Sequence, residues 1–240
     1  MRRRTGLSLC WILGSCLLSK AGRSQELIAG WEGSALGGYA FGSTLVTVGL
    51  TGRHALVLGG SGSYLYYTFP DSGGPTEVAS PGASVALGYR LHAERLSATV
   101  IAAYEQRRTS ERPAALPSAR YTQRGVAVEG ELWLQPTRLT TVDAILSYSG
   151  ANHYLWSRAG LQRQVTNTRL RQPIALGVGV EGTAQGDRDV RAYAAGMVIS
   201  LEFVHSDGSL QIRAGYVRLR YSDQTSAAKP YWGVGLYRAF

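Results

Sequence analysis

The segment 230–240 alternates between two kinds of side chain, and this alternation constrains the fold more than any other feature of the chain. Counting back from Phe240 in steps of two gives a row that is apolar except for its arginine: Arg238, Leu236, Val234 and Trp232. The row between them contains small or amphipathic residues: Ala239, Tyr237, Gly235, Gly233 and Tyr231. Because successive side chains of a strand point to opposite faces, the segment predicts a strand with one apolar face.

A final strand of this kind resembles the closing strand of bacterial outer-membrane β-barrels. In that class of protein the terminal aromatic residue is read by the insertion machinery, so the resemblance gives Phe240 the role of an insertion signal. Arg238 departs from the pattern, since such strands usually carry an apolar or aromatic residue there.

The N-terminal residues predict export. Three arginines at 2–4 precede an apolar run at 7–18, which is followed by small and polar residues, the order of a secretory signal peptide. The run is shorter than the ~20 residues that a membrane-spanning helix requires. We predict a signal peptide at 1–24, cut after Ala21 or Ser24, and a single domain at 25–240. The alternative is a lipoprotein signal, after whose removal an acylated Cys16 would be the first residue.

Composition limits the remaining classes of function. Both cysteines lie within the predicted leader, so the mature chain is expected to have no disulfide and no thiolate metal site. No cofactor is expected either. Removing 1–24 leaves 20 basic against 16 acidic residues, a net charge of +4, which argues against nucleic-acid binding. The 30 glycines and 14 tyrosines are typical of an all-β chain.

The alternating segments predict an antiparallel transmembrane β-barrel of about twelve strands, near 27–34, 38–50, 54–67, 83–91, 95–106, 123–135, 138–149, 153–164, 172–183, 190–204, 209–221 and 230–240. Short links follow strands two, four, six, eight and ten. Longer links, at 70–82, 107–122 and 222–229, follow strands three, five and eleven. Short periplasmic turns and longer outer loops are typical of outer-membrane barrels, in which apolar rows face lipid and polar rows face the lumen. The two rows of the tenth strand differ little, which leaves its facing open.

Four segments resemble the BcsS family, which accompanies cellulose biosynthesis genes in some Gram-negative bacteria. They are 29–34; 125–137, with Glu-Leu-Trp-x-x-Pro-Thr as the most specific element; 147–149 with Tyr154 and Arg158; and 179–181 with 186–187 and 191–196. Val180 replaces a proline of the family pattern. The resemblance implies an outer-membrane accessory protein of cellulose production or secretion, without an established catalytic residue. The expected partners are outer-membrane lipid and cellulose or cellulose-export proteins.

The predicted lumen contains the candidate site residues. Glu129 and Glu131 lie two apart on one strand and therefore share a face. They predict either an ionic network with lumenal arginines such as Arg90, Arg158 or Arg213, or a pair of carboxylates for glycoside hydrolysis. We favour the network. Candidate glucan contacts combine aromatic faces with charged groups, although the aromatic residues also fit a membrane-interface girdle or lumen packing: Glu129, Glu131, Trp133, Tyr154, Trp156 and Arg158.

Two other functions remain alternatives to the accessory role: a passive channel for small solutes, and an outer-membrane lipid or glycan hydrolase. The triplet His205-Ser206-Asp207 suits the hydrolase, but Asp207-Gly208 is a strong hairpin turn. We therefore expect no catalytic residue and no enzyme activity. The segment with Arg107, Arg108 and Arg112 predicts a basic outer loop, which is either solvated or in contact with lipopolysaccharide phosphates or an anionic polymer.

Overall fold

The computed structural model describes residues 23–35, 37–71, 74–114, 117–168, 174–187, 190–203, 206–221 and 226–240. Twelve strands account for nearly all of them: β1 (Arg23–Ser34), β2 (Gly37–Thr51), β3 (His54–Asp71), β4 (Gly74–Ala93), β5 (Leu96–Pro113), β6 (Ala119–Thr137), β7 (Thr140–Ser149), β8 (Tyr154–Thr168), β9 (Ile174–Gly186), β10 (Val190–Phe203), β11 (Gly208–Tyr221) and β12 (Ser226–Ala239).

The strands form one closed antiparallel barrel in which each strand pairs with its neighbours in sequence and β1 pairs with β12. The last residue takes part in the closure. The Gln25 amide donates to the Phe240 carbonyl at 3.2 Å, and the Phe240 amide donates to the Gln25 carbonyl at 2.8 Å. Closure pairs the backbone groups that an open sheet would leave exposed at its edges. The predicted fold class is confirmed.

Several predicted strand limits were wrong, chiefly in β3–β6. The segments 70–82 and 107–122, predicted as long loops, consist mostly of paired strand. Within them, residues 72–73 and 115–116 lie outside the described part of the chain. A pattern of alternation is hard to see there because prolines and polar residues interrupt it. Pro81 stands inside β4, where the pairing with β5 is interrupted between Ala79 and Gly82.

The barrel wall is therefore much taller on one side. At about 3.3 Å per residue and a tilt of about 40°, the 20 residues of β4 rise roughly 50 Å, whereas the 10 residues of β7 rise roughly 25 Å. The excess lies at the end opposite the chain termini. We call it the extended end, formed by the hairpins β3–β4 and β5–β6.

The side-chain rows follow the predicted facing. On β6 the outward row contains Val126, Val128 and Leu132, all exposed on the outer wall, while Glu129 and Glu131 point inward. On β10 the register with β9 and β11 is unbroken, so no bulge swaps its rows. Apolar side chains on the outer wall suit lipid and polar side chains inside suit an aqueous lumen.

The first half of β12 makes a specific packing contact at the inner wall. Tyr231 is buried, lies over the glycines at 196 and 215, and donates a hydrogen bond of 2.8 Å to Glu181 Oε1. A Cβ at either glycine would collide with the tyrosine ring or its hydroxyl, so glycine leaves the space that the aromatic ring fills. Ala192 and Val217 complete this cluster.

The predicted signal peptide lies outside the described residues except for Arg23 and Ser24, which begin β1. It stays a prediction. His205 and the predicted loop residues 222–225 also lie outside the described part of the chain. No helix among the described residues is long and apolar enough to cross a membrane.

Candidate functional site

The lumen holds a set of ion pairs between inward-facing side chains. Arg90 pairs with Glu26 across β2 and β3, and the same guanidinium donates to Thr99 at 3.0 Å. The other three pairs join Arg213 to Glu181 at 3.1 Å, Arg158 to Asp143 at 3.8 Å, and Arg107 to Glu105 at 3.9 Å. The arginines expected in an ionic network are thus engaged, but with carboxylates that the sequence analysis did not select.

Glu129 and Glu131 point into this lumen without an ion pair of their own among the described residues. The two side chains interact with each other, and Glu129 interacts with the Ser147 hydroxyl across the β6–β7 pair. Arg158 attracts both carboxylates from a greater distance. Arg90 also attracts Glu131, so both glutamates belong to the charge network of the lumen without forming a direct ion pair in the described part of the chain. Arg158 instead forms its ion pair with Asp143, the cross-strand neighbour of Trp133.

Side chains from opposite walls meet across the lumen. Glu32 of β1 interacts with the Trp156 indole of β8, although four strands separate β1 from β8 one way round the barrel and six strands separate them the other way. Arg158 lies on the same inward row as Trp156, with its guanidinium carbon 5.7 Å from the ring centroid. The lumen is therefore crossed at this level by a polar bridge, which we define as Glu32, Trp156 and Arg158.

Tight packing of inward side chains elsewhere agrees with a narrowed lumen. Val57 and Val198 both point inward and are only 1 % and 2 % exposed. A valine facing an open water-filled tube would retain much more exposed surface. Other side chains must therefore cover these two positions.

Aromatic side chains line the lumen near the level of the polar bridge and between the bridge and the extended end. They come from β2, β3, β6 and β8 and form what we call the vestibule: Tyr39, Phe41, Tyr67, Phe69, Tyr121, Tyr154 and Trp156. Tyr39 stacks on Phe41 with ring centroids 5.7 Å apart, and Tyr154 lies within electrostatic range of both Tyr39 and Tyr67. The structure thus brings Tyr154 and Trp156 together with aromatic residues from the far wall.

The phenols at the extended end remain neutral hydrogen-bonding groups. Burial, together with the hydrogen bond of 2.6 Å that its hydroxyl donates to Glu111, raises the pKa of Tyr121 to about 12. Burial and the nearby carboxylates of Asp187 and Glu111 also raise the pKa of Tyr67. Aromatic faces beside neutral hydroxyls and carboxylates form a surface that suits a sugar, whose C–H faces are apolar and whose rim is hydroxylated.

Trp133 does not join the vestibule. It shares the inward row of Glu129 but lies four residues farther toward the chain termini, opposite Ser97 and Asp143. Conversely, five vestibule residues were not predicted from the sequence: Tyr39, Phe41, Tyr67, Phe69 and Tyr121. The signal for Tyr39 and Phe41 was present, because they alternate with small residues on β2, whereas Tyr67 and Tyr121 lie at the ends of strands whose extent was underestimated.

The hydrolase triplet is only partly described. Ser206 and Asp207 form the turn between β10 and β11, and Asp207 has a positive φ of 44°, as a tight hairpin turn requires. Among the described residues, no group of three or more histidine, cysteine or acidic side chains is arranged to hold a metal ion.

Solved structures with a similar fold show the class of protein to which this barrel belongs. The fold is similar to the β domain of the Bordetella autotransporter BrkA, with a TM-score of 0.50, 12% identity, and coverage of 90% of this chain and 98% of that one. It is also similar to the COG4313 outer membrane channel from Pseudomonas putida F1, with a TM-score of 0.54, 11% identity, and coverage of 92% and 96%. The chain has the fold of a bacterial outer-membrane β-barrel.

A comparison of the sequence with protein-family models shows the family of this chain. The model of the cellulose biosynthesis protein BcsS family matches residues 27–240, and the chain belongs to that family. No curated protein matches the chain in sequence. In an outer-membrane barrel the end with short turns and both chain termini faces the periplasm, so the extended end and its vestibule face the cell exterior.

Proposed function

We propose that this protein is a non-catalytic outer-membrane accessory of cellulose production that holds the emerging glucan at its vestibule. Family membership supports the link to cellulose, and outer-membrane location excludes the polymerisation step, because activated sugar nucleotides are cytoplasmic. The observation that carries the proposed mode of action is the vestibule itself. It is a set of inward-facing aromatic rings that extends from the polar bridge toward the extended end of the barrel.

The vestibule suits a β-glucan for chemical reasons. Each glucose ring offers an apolar face for stacking on an aromatic side chain, while its equatorial hydroxyls accept and donate hydrogen bonds at the rim. Tyr67 and Tyr121 supply neutral hydroxyls, and Glu32 and Arg158 supply charged groups at the floor. Because the bridge crosses the lumen, the proposal is docking at the outer mouth rather than passage of the polymer through the barrel.

The positions of Glu129 and Glu131 support a non-catalytic role. A glycosidase uses two carboxyl groups that flank the scissile bond, with one on each side of the sugar. Here both carboxylates project from adjacent inward positions of the same strand and interact with each other. A glucan chain would meet the two from the same side, so they suit hydroxyl binding better than acid–base cleavage.

The test is a comparison of cellulose-producing strains. Deleting the gene should alter the amount, secretion or surface retention of cellulose while synthase activity in isolated membranes stays unchanged. Complementation with Tyr154→Ala/Trp156→Ala should restore less surface cellulose than wild type, whereas Tyr148→Ala, which removes an outward-facing tyrosine from β7, serves as the matched control.

Two outcomes would replace the proposal. Unchanged cellulose in the deletion strain, with altered uptake of a small solute, would favour the passive channel. Release of soluble oligosaccharides or lipid fragments by the purified wild-type protein, lost in Glu129→Gln or Ser206→Ala, would establish a hydrolase instead.

A further inference from the structure

The outer wall of the hairpin β5–β6 changes abruptly from apolar to basic along its length. Moving from the periplasmic side, its outward row is apolar up to the cross-strand pair Tyr104–Val126. The next outward pair is Gln106–Arg124, and beyond it lie Arg108 and Arg120. Arg107 and Arg108, predicted from the sequence to lie in an outer loop, belong to β5, with Arg107 inward and Arg108 outward.

The three outward arginines form a compact patch. Arg108 pairs with Thr122, and Arg120 and Arg124 are the residues two positions to either side of that threonine. Diagonal neighbours of this kind have Cα atoms about 7–8 Å apart, within reach of one another for long side chains. All three are exposed. We call Arg108, Arg120 and Arg124 the basic wall patch.

Little within the protein compensates these charges. Arg124 donates to the Gln106 amide oxygen at 3.1 Å, which is a neutral partner. Among the described residues, Arg108 and Arg120 have neither an ion pair nor a side-chain hydrogen bond. The neighbouring acid Glu77 lies across from Arg112, farther toward the tip of the hairpin. Three like charges at this spacing repel each other unless an anion lies between them.

The depth of the patch identifies the anion. The outward apolar row of β6 runs from Leu134 to Val126, nine residues that rise roughly 22 Å, close to the ~25 Å apolar band of outer-membrane barrels. The patch begins at the next outward position. It therefore lies at the headgroup level of the outer leaflet, where lipid A carries its phosphates, and guanidinium groups bind phosphate with paired hydrogen bonds.

We propose that the basic wall patch is a binding site for the phosphate groups of lipid A in the outer leaflet. The site anchors the tall β5–β6 wall against its lipid neighbours and is independent of the glucan vestibule, which opens inside the barrel. The ligand is the membrane-embedded phosphoglycolipid, whose acyl chains lie along the apolar row while its phosphates contact the three guanidinium groups.

The experiment measures binding of purified full chain in detergent to bisphosphorylated lipid A and to enzymatically dephosphorylated lipid A with the same acyl chains. The test variant is Arg108→Ser/Arg120→Ser/Arg124→Ser. The matched control is Arg53→Ser/Arg95→Ser/Arg138→Ser, which removes three exposed arginines from the periplasmic turns. Heat-dependent gel migration verifies that each variant is folded. If the triple variant does not assemble, Arg108→Ser and Arg120→Ser are measured singly.

Wild type and control should bind bisphosphorylated lipid A equally and prefer it to the dephosphorylated form. Each patch arginine should contribute about five-fold, so the triple variant should bind about 100-fold more weakly. Inorganic phosphate at matched ionic strength should not displace the lipid. Equal binding by wild type and triple variant, no preference for the phosphorylated lipid, or displacement by inorganic phosphate would each overturn the proposal.

Discussion

Leu132→Arg tests the facing of the barrel wall more sharply than any other single change. Leu132 projects outward and is 42 % exposed, two positions from Gly130, the midpoint of the apolar row Val126–Leu134. Two residues correspond to roughly 5 Å of height, so the substituted guanidinium would lie in the central part of the ~25 Å band. An arginine near the midplane costs about 2–4 kcal/mol, falling to about 0–1 kcal/mol near the interfaces.

We therefore expect Leu132→Arg to lower the free energy of unfolding by about 2–3 kcal/mol, and Leu134→Arg, at the periplasmic edge of the row, by less than about 1 kcal/mol. Glu131→Gln, which faces the lumen next to Leu132, should change little. Urea titration in lipid vesicles, read by the gel shift between folded and heat-unfolded forms, gives all three values. A larger loss for Glu131→Gln than for Leu132→Arg would show that the rows face the opposite way.

Three further predictions concern packing, ionisation and processing. Tyr231→Phe should lower the free energy of unfolding by about 1–2 kcal/mol in urea titration, because the buried carboxylate of Glu181 loses a donor but keeps Arg213; an unchanged midpoint would mean that the hydrogen bond contributes nothing. Since the raised pKa keeps Tyr121 protonated, the ultraviolet absorbance of phenolate at about pH 10 should be identical in wild type and Tyr121→Phe, and a smaller phenolate signal in the variant would contradict the raised pKa. N-terminal sequencing of the membrane fraction should begin at residue 22 or 25; an intact Met1 would refute export by cleavage, and a blocked, acylated Cys16 would favour the lipoprotein alternative.

The sequence predicted the barrel because membrane strands obey a simple rule. Segments such as 123–135 alternate for nearly their full length, since each outward residue meets hydrocarbon and each inward residue meets polar groups. This alternation is required only of residues within the hydrocarbon layer of the membrane. Beyond Gln106 and Arg124 both faces of β5 and β6 carry polar side chains, so the apolar–polar alternation disappears and a paired strand resembles a loop in sequence. That is why 107–122 was predicted as a connection.

The lumen was less predictable for a different reason. Inward positions can be identified on one strand, but the partners of each charge depend on which strands face each other across the barrel. Arg90 lies three strands from Glu26, and Glu32 meets Trp156 from the far wall, so neither contact leaves a local pattern. Tyr154, Trp156 and Arg158 were found because they share one row of β8.

Binding of a defined cello-oligosaccharide to the purified barrel tests the central claim most directly. Cellohexaose is titrated into the detergent-solubilised protein while bound ligand is measured by calorimetry, with wild type, Tyr154→Ala/Trp156→Ala and the outward control Tyr148→Ala compared. The account predicts saturable binding by wild type and Tyr148→Ala, and binding at least about 10-fold weaker in the vestibule variant, since each lost stacking contact removes about 1 kcal/mol. Equal affinity in all three folded proteins, or no saturable binding by wild type, would contradict a glucan-holding vestibule.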